Sequence, residues 1–462
     1  MEKEARDIER KKGDMLNRLI FLFSFGAVFW PSYGGVKLGG LPLVNPQRIV
    51  LVLIAGIFIY RVLGSRRDAK VVVDACRYHS YLLMPLLFFF FWRLISAFFS
   101  KDVAYSTFLV GLDIVSQCVL FFSVYLAIVD ERSVVKVVRL MFYGFLFVVG
   151  VGVVESLVES NLYLSFVPES AMQQDYIVSA VTEKIRDSYR VQASFLHPLV
   201  LAEYLTIFLP LVFFVTAGRI YGRLSYLFAF SGLVFGVYVL YRTGSRSGVV
   251  CLGVQLLVYM YYRFCRDLNS LKRPMSFLRV VVILVAVIAS APFAVDEFQN
   301  VLLGANESES MSTLARLSQI EDGLVAIEES PLVGWGVGMA VNYASTENEK
   351  TKEQSVDNYY LTVVVDSGVP ALIALFILLY RHFAEGRRLS KVVKGRLGVL
   401  AGMLSYSVVG LASFNFILSS YEIFPIFFIF LALVLRVREM NRLVRKNMAP
   451  SPSLLRKVEA VG

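Results

Sequence analysis

The chain has 462 residues, 57% of them hydrophobic and only 18% charged, with Lys+Arg 46 against Asp+Glu 36 and a formal net charge of +10. Soluble proteins carry about a quarter charged residues, so this composition excludes a set of water-facing domains. The basic excess then reads as cytoplasmic loops rather than a nucleic-acid surface, and four scattered cysteines exclude a disulfide framework.

The first residues, 1–14, are too charged for a cleavable signal peptide, so the first apolar span is expected to stay as an anchor. Apolar stretches long enough to cross about 30 Å of hydrocarbon then recur at 16–32, 47–64, 81–99, 105–129, 134–157, 196–217, 222–241, 246–265, 278–295, 358–381, 396–414 and 419–436. Basic residues fall in alternate connections. Arg61 to Arg77, Arg132 to Arg139, Arg219 and Arg223, Arg263 to Arg279, Arg381 to Arg396, and Arg436 to Lys446 share one side. By the positive-inside rule that side is cytoplasmic, and Cys76 and Cys265 fall in its loops. The expected fold class is all-α, a polytopic integral membrane protein. It forms a single transmembrane domain over 1–462 with about twelve transmembrane helices and both termini cytoplasmic. Two long loops, 158–195 and 296–357, face outward. The second holds a helix-like run at 312–329, then a Pro- and Gly-rich turn at 331–338, read as a lid or cap.

Charges that defy this topology are the informative ones. The outward turn Tyr241-Arg-Thr-Gly-Ser-Arg-Ser-Gly248 carries Arg242 and Arg246, and its Gly244 and Gly248 are expected to let an anion approach the backbone. Snorkelling to lipid phosphate is the plainer alternative. Arg190 precedes the sixth span, and Arg316 lies in the second long loop. Guanidinium is planar, permanently charged and bidentate towards phosphate oxygens, so converging arginines make a pyrophosphate clamp. Pairing with loop carboxylates is the alternative, favoured for Arg316 taken singly. Arg93 in the third span either snorkels or points into a polar cavity. His197, beside Pro198 at a helix start, reads more readily as a structural group than as a base. Glu203, Asp113, Asp366 and Glu422 need interior partners, and Asp366 is expected to be the most buried. Asp357, before Asn358, is either the cap of the next helix or a general base near the arginines. His79, His197 and His382 are too far apart in sequence to suggest a metal site, and no Walker-type loop is present.

In order and sidedness these features resemble the O-antigen ligase and O-antigen polymerase superfamily of bacterial envelope enzymes. The residues that carry the resemblance are Arg190 with His197-Pro198, Thr243-Gly-Ser-Arg-Ser-Gly248, Arg316, the run from Glu329 to Gly338, and Asp357-Asn358 leading to Asp366-Ser-Gly368. They cover roughly 185–420. The resemblance implies an all-helical, GT-C-like glycosyltransferase of the inner membrane with its active site facing the periplasm. It implies an undecaprenyl-pyrophosphate-linked glycan as donor, and a glycan or lipid A-core as acceptor. Membrane lipids and a chain-length regulator are the further partners, with no nucleic acid. No metal or other cofactor is implied. Arg190, Arg246 and Arg316 match the arginine positions that hold the pyrophosphate. Arg242 is adjacent, and His197, Asn358 and Arg93 are supporting residues. The resemblance also implies a catalytic base at 357, where ligases show histidine and this chain has aspartate. That difference favours a polymerase of surface-polysaccharide repeats over a ligase acting on lipid A-core or protein. A transporter or flippase comes third, because matching halves and interrupted midplane helices are not evident.

Overall fold

A computed structural model of the chain describes residues 15–31, 33–36, 44–163, 189–217, 223–264, 307–347 and 354–448. The expected span 278–295, Cys265 and most of the 158–195 loop lie outside the described residues. Every other expected span coincides with a helix. They are α1 (Met15–Gly26), α2 (Pro46–Gly64), α3 (Arg66–Tyr78), α4 (Ser80–Phe98) and α5 (Val103–Asp113), which runs through a π-helix at Ile114–Val119 into α6 (Leu120–Ala127). Then come α7 (Glu131–Val158), α8 (Pro198–Ala217), α9 (Arg223–Arg242), α10 (Arg246–Phe264), α11 (Glu307–Glu329) and α12 (Ala340–Ala344). Strands β1 (Thr346–Glu347) and β2 (Gln354–Ser355) form a short antiparallel pair, followed by α13 (Tyr359–Val392), α14 (Arg396–Phe414) and α15 (Phe424–Met448).

Among the described residues, six helices are long and apolar enough to cross a membrane by length and composition. The rest are shorter in their described part or, like α15, carry charges towards one end. Their lipid-compatible faces show apolar side chains such as Leu63, 82% exposed, and Phe91 and Phe98. The helix breaks follow local chemistry. Asn45, Asp102, Asp130 and Asn358 each accept main-chain N–H groups of the first turn that follows, satisfying donors that have no helical partner. Sequence reading had assigned 65–78 to a loop. It is instead α3, because Ser65 caps a run whose apolar residues lie on one helical face, and Cys76 is therefore helical.

The buried core is built where α13 packs on α4 and α14, α8 packs on α14, and α15 packs on α6. One end of the bundle is basic and laced with ion pairs. His79 Nε2 lies 2.7 Å from Glu439 Oε2, and Arg438 and Arg388 share Glu385. Burial pushes the Glu439 carboxyl up, but hydrogen bonds from His79 and Arg442 outweigh it and hold the group at about 2. The opposite end gathers 189–197, 242–248, 330–347, 354–359 and 414–423.

α13 is not one straight rod. Gly368 has φ 74 and ψ 174, and the Tyr360 and Phe376 rings lie 4.8 Å apart. An unbroken helix would separate those positions by about 24 Å. The chain therefore bends sharply at Gly368, which sets Asp357 and Asn358 beside the end of α14. There Tyr359 N donates to Asn415 O at 2.9 Å.

Candidate functional site

The turn between α9 and α10 is tightly self-bonded. Thr243 Oγ1 donates to Leu240 O at 2.6 Å and accepts from Ser245 N, and Ser245 Oγ accepts from Gly248 N at 3.1 Å. Gly244 turns the chain with φ +61, a conformation that suits glycine. The space beside these glycines does not await an anion, as the sequence had led us to expect. A Cβ on Gly244 would stand 3.1 Å from Arg190 Nε, and one on Gly248 would meet Leu240 and Ala202. Arg190 fills the first gap: its Nε donates to Thr243 O at 2.7 Å, and Val191 N donates to Arg242 O at 3.1 Å. Arg190 is thus laid on the turn that carries Arg242 and Arg246. Arg242 is also bound within the protein, through Ser156 O at 3.2 Å and Glu159 at 3.6 Å.

Glu155, which sequence reasoning missed, fixes this arrangement. It is fully buried near the end of α7, and its carboxylate accepts Gln192 N at 3.0 Å, Ala193 N at 2.7 Å and the Tyr189 hydroxyl at 2.7 Å. Three donors stabilise the charged carboxylate and hold Ala193 at φ 50, an unusual conformation for a residue with a Cβ. A charge inside the apolar run of α7 was the available signal, although main-chain partners leave no trace in sequence. Glu155→Ala is expected to release the 189–193 strap and accelerate proteolysis there, read by limited digestion, while Glu155→Gln preserves part of the network. His197 opens α8. Its Nδ1 accepts Leu199 N–H at 3.1 Å, which puts the proton on Nε2 and makes it a helix-opening group that can donate.

On the other side of this end, α11 runs beside the start of α13. Gln319 Nε2 donates to Ser355 O at 2.9 Å, and Gln319 Oε1 accepts Asp357 N at 2.9 Å. One turn earlier, Arg316 Nε lies 3.5 Å from Asp357 Oδ2. Asp357 does not cap the helix. Asn358 does, accepting Tyr360 N at 3.0 Å and Leu361 N at 3.1 Å. The Asp357 carboxylate therefore faces Arg316, and both side chains are part-exposed, at 33% and 41%.

Arg93 neither snorkels nor lines an open cavity. It is 2% exposed, and its Nη2 bonds Asp113 Oδ2 at 2.5 Å, while Gln117 donates to the other Asp113 oxygen at 3.1 Å. The π-helix begins just after Asp113, a distortion common at functional positions. Asp366 is buried, as its sequence context led us to expect, and it accepts Gly338 N at 2.9 Å and Ala340 N at 2.7 Å. The glycine-rich turn 331–338 is thereby laid against the bend in α13. Trp335 N donates to Val365 O, Gly336 N to Asp366 O and Val369 N to Pro331 O, so main-chain groups freed by the bend find partners. Glu203 is buried, with its Oε2 lacking a hydrogen-bond partner among the described residues.

The site end thus holds two groups, Arg190–Arg242–Arg246 and Arg316–Asp357. The 414–423 segment adjoins the second of them. Asn415 meets Tyr359, and Glu422 lies close enough to Glu203 for their charges to interact. No curated protein matches the chain. Residues 231–376, which include Arg242, Arg246, Arg316, Asp357 and the bend at Gly368, match the family model described as O-antigen ligase. The six membrane-length helices among the described residues mark a multi-pass membrane protein, and the family match bears out the resemblance to the O-antigen ligase and polymerase superfamily.

Proposed function

We propose that the protein transfers a glycan from undecaprenyl pyrophosphate to an acceptor sugar hydroxyl, at the periplasmic face of the bacterial inner membrane. In this reading it polymerises surface-polysaccharide repeats, with both termini cytoplasmic. The observation that carries the reading is the pairing of Arg316 with an Asp357 freed from capping, together with Arg190 held on the turn that contains Arg242 and Arg246. The acceptor oxygen attacks the anomeric carbon while the bond to the pyrophosphate oxygen breaks. The bonding pair leaves with undecaprenyl pyrophosphate, and the hydroxyl proton passes to Asp357. Arg190, Arg246 and Arg316 stabilise the charge that grows on the leaving group. Arg242, tied to Glu159, holds the turn, and Arg93 supports the site from below. No metal is required in this scheme.

Turnover of a defined undecaprenyl-pyrophosphate glycan by purified protein, with a chelator present, tests the proposal. Ladders of lengthening product support a polymerase. Single transfer to lipid A-core supports a ligase, and movement of donor between vesicle leaflets without product supports a flippase. Arg190→Ala and Arg246→Ala are each expected to cut turnover by about 10²-fold or more, with protein still reaching the membrane. Asp357→Asn is expected to lose on the order of 10²-fold or more; full turnover in that variant would remove Asp357 as the base.

A further inference from the structure

Beside the Asp357 group stands an aromatic surface that the transfer chemistry does not use. Trp335 and Tyr343 stack with ring centroids 4.2 Å apart at 23°. Lys101 Nζ lies 5.5 Å from the first ring centre and 5.0 Å from the second. Those three distances put the ammonium at the side of the stack, and the two rings, packed from beneath on the cluster of Ala326, Ala340 and Val356, stay half-exposed. Tyr105, 47% exposed, adjoins through Gly338, and Asn342 is exposed on α12.

The polar tips of the pair point inward. Trp335 Nε1 donates to Ala326 O at 2.9 Å, and the Tyr343 hydroxyl is buried without a hydrogen-bond partner among the described residues. Aromatic residues that anchor a protein at a membrane interface do the reverse, keeping N–H and O–H towards water and headgroups. Here the half-exposed part of the rings and the Lys101 ammonium are what a ligand would meet. The backbone beneath is held by Asp366 and by glycines at φ +68, +101 and +87, so the surface is ordered in advance.

Rings with apolar faces flanked by hydrogen-bond donors suit a pyranose, which offers C–H groups on its face and hydroxyls around its rim. The geometry points to a glycan-binding platform formed by Trp335, Tyr343 and Lys101 that holds the acceptor chain, an assignment that rests on the transferase reading above. α11 sets the spacing. Gln319 holds Asp357 and Ala326 holds Trp335, about 10 Å apart along the helix, the reach of a short oligosaccharide rather than one ring. The platform is tied to Asp357, the group that takes the acceptor's proton, whereas the donor pyrophosphate is assigned to the arginine side.

The test uses the full chain in lipid nanodiscs. The probe is the oligosaccharide released by mild acid from the producing cell's own lipid-linked glycan. Tyr343→Leu and Trp335→Leu are expected to raise acceptor KM by about tenfold while donor KM and kcat stay near wild type. Trp335→Phe should restore most of the affinity, and Lys101→Ala should give a smaller rise. Among the described residues Tyr343 and Lys101 donate no hydrogen bond, so those variants remain informative if Trp335→Leu fails to fold. Unchanged acceptor KM in Tyr343→Leu and Lys101→Ala overturns the platform. Saturation-transfer NMR of the same oligosaccharide separates this failure from that of the transferase reading. Platform-dependent binding without turnover sinks the enzyme assignment alone, and no binding sinks the platform.

Discussion

Replacing Arg93 with alanine is expected to destabilise the folded protein by about 3–5 kcal/mol, seen as a fall of many degrees in the temperature at which it leaves the monodisperse peak in detergent. The cause is not the loss of a favourable contact so much as what remains. Asp113 would keep a mostly enclosed carboxylate, 14% exposed, with Gln117 as its hydrogen-bond partner among the described residues, and an isolated buried charge is far costlier than a paired one. Asp113→Ala should be comparably harmful, because Arg93 then keeps Phe89 below its guanidinium, at 5.2 Å, the nearby tyrosines and the more distant Asp366, but loses its directly bonded carboxylate. The double variant Arg93→Met with Asp113→Leu separates pairing from packing. It should recover most of the stability, since replacing both members of a buried pair by apolar groups is often neutral. If the double variant also loses turnover while staying folded, the pair serves the site. A single variant as stable as wild type would contradict this account.

The second large effect is expected at Gly368. A Cβ there would stand 2.1 Å from Leu332 O and 2.9 Å from Pro331 O, within the turn that the bend in α13 receives. Gly368→Ala must therefore push out the 331–338 segment or straighten the bend. Either way, Asp366 loses its two amide donors and Asp357 loses its place beside α14. Gly395 supplies the control. It has a similar φ of +80 and nothing within 4 Å of its Cβ position, so Gly395→Ala carries only the conformational penalty, about 1–3 kcal/mol. Gly368→Ala should cost clearly more and expose the 331–345 segment to protease. Equal losses in the two variants would mean that the overlap is relieved without consequence.

Helix positions were legible because a membrane core demands long apolar runs, and Asn45, Asp130 and Asn358 mark where those runs begin. α3 was not, since its apolar face is short and interrupted by charge. At the site, the neighbourhood of Arg242 and Arg246 follows from the turn that contains them both. The pairing of Arg316 with Asp357 depends on α11 lying along α13, which no local pattern encodes. Asp357 was read as a cap or a base because Asp and Asn cap equally well, and only the backbone decides that Asn358 takes the role. Asp113 and Glu155 were visible as charges in apolar segments, but their partners are a distant arginine and main-chain amides.

Arg93 and Asp113 also bear on how the chain enters the bilayer. They stand 20 positions apart on consecutive helices, so both emerge from the ribosome close together in time. A lone charge at a helix centre adds about 2.5–3.5 kcal/mol to insertion. Meeting as a helical hairpin, the two can neutralise each other before α13 and α14 have been synthesised. Asp366 is satisfied later: its amide donors, Gly338 and Ala340, reach it only after the turn before α13 has folded back. The first charge pair can thus settle during insertion, whereas the second buried carboxylate settles only when the site end is assembled.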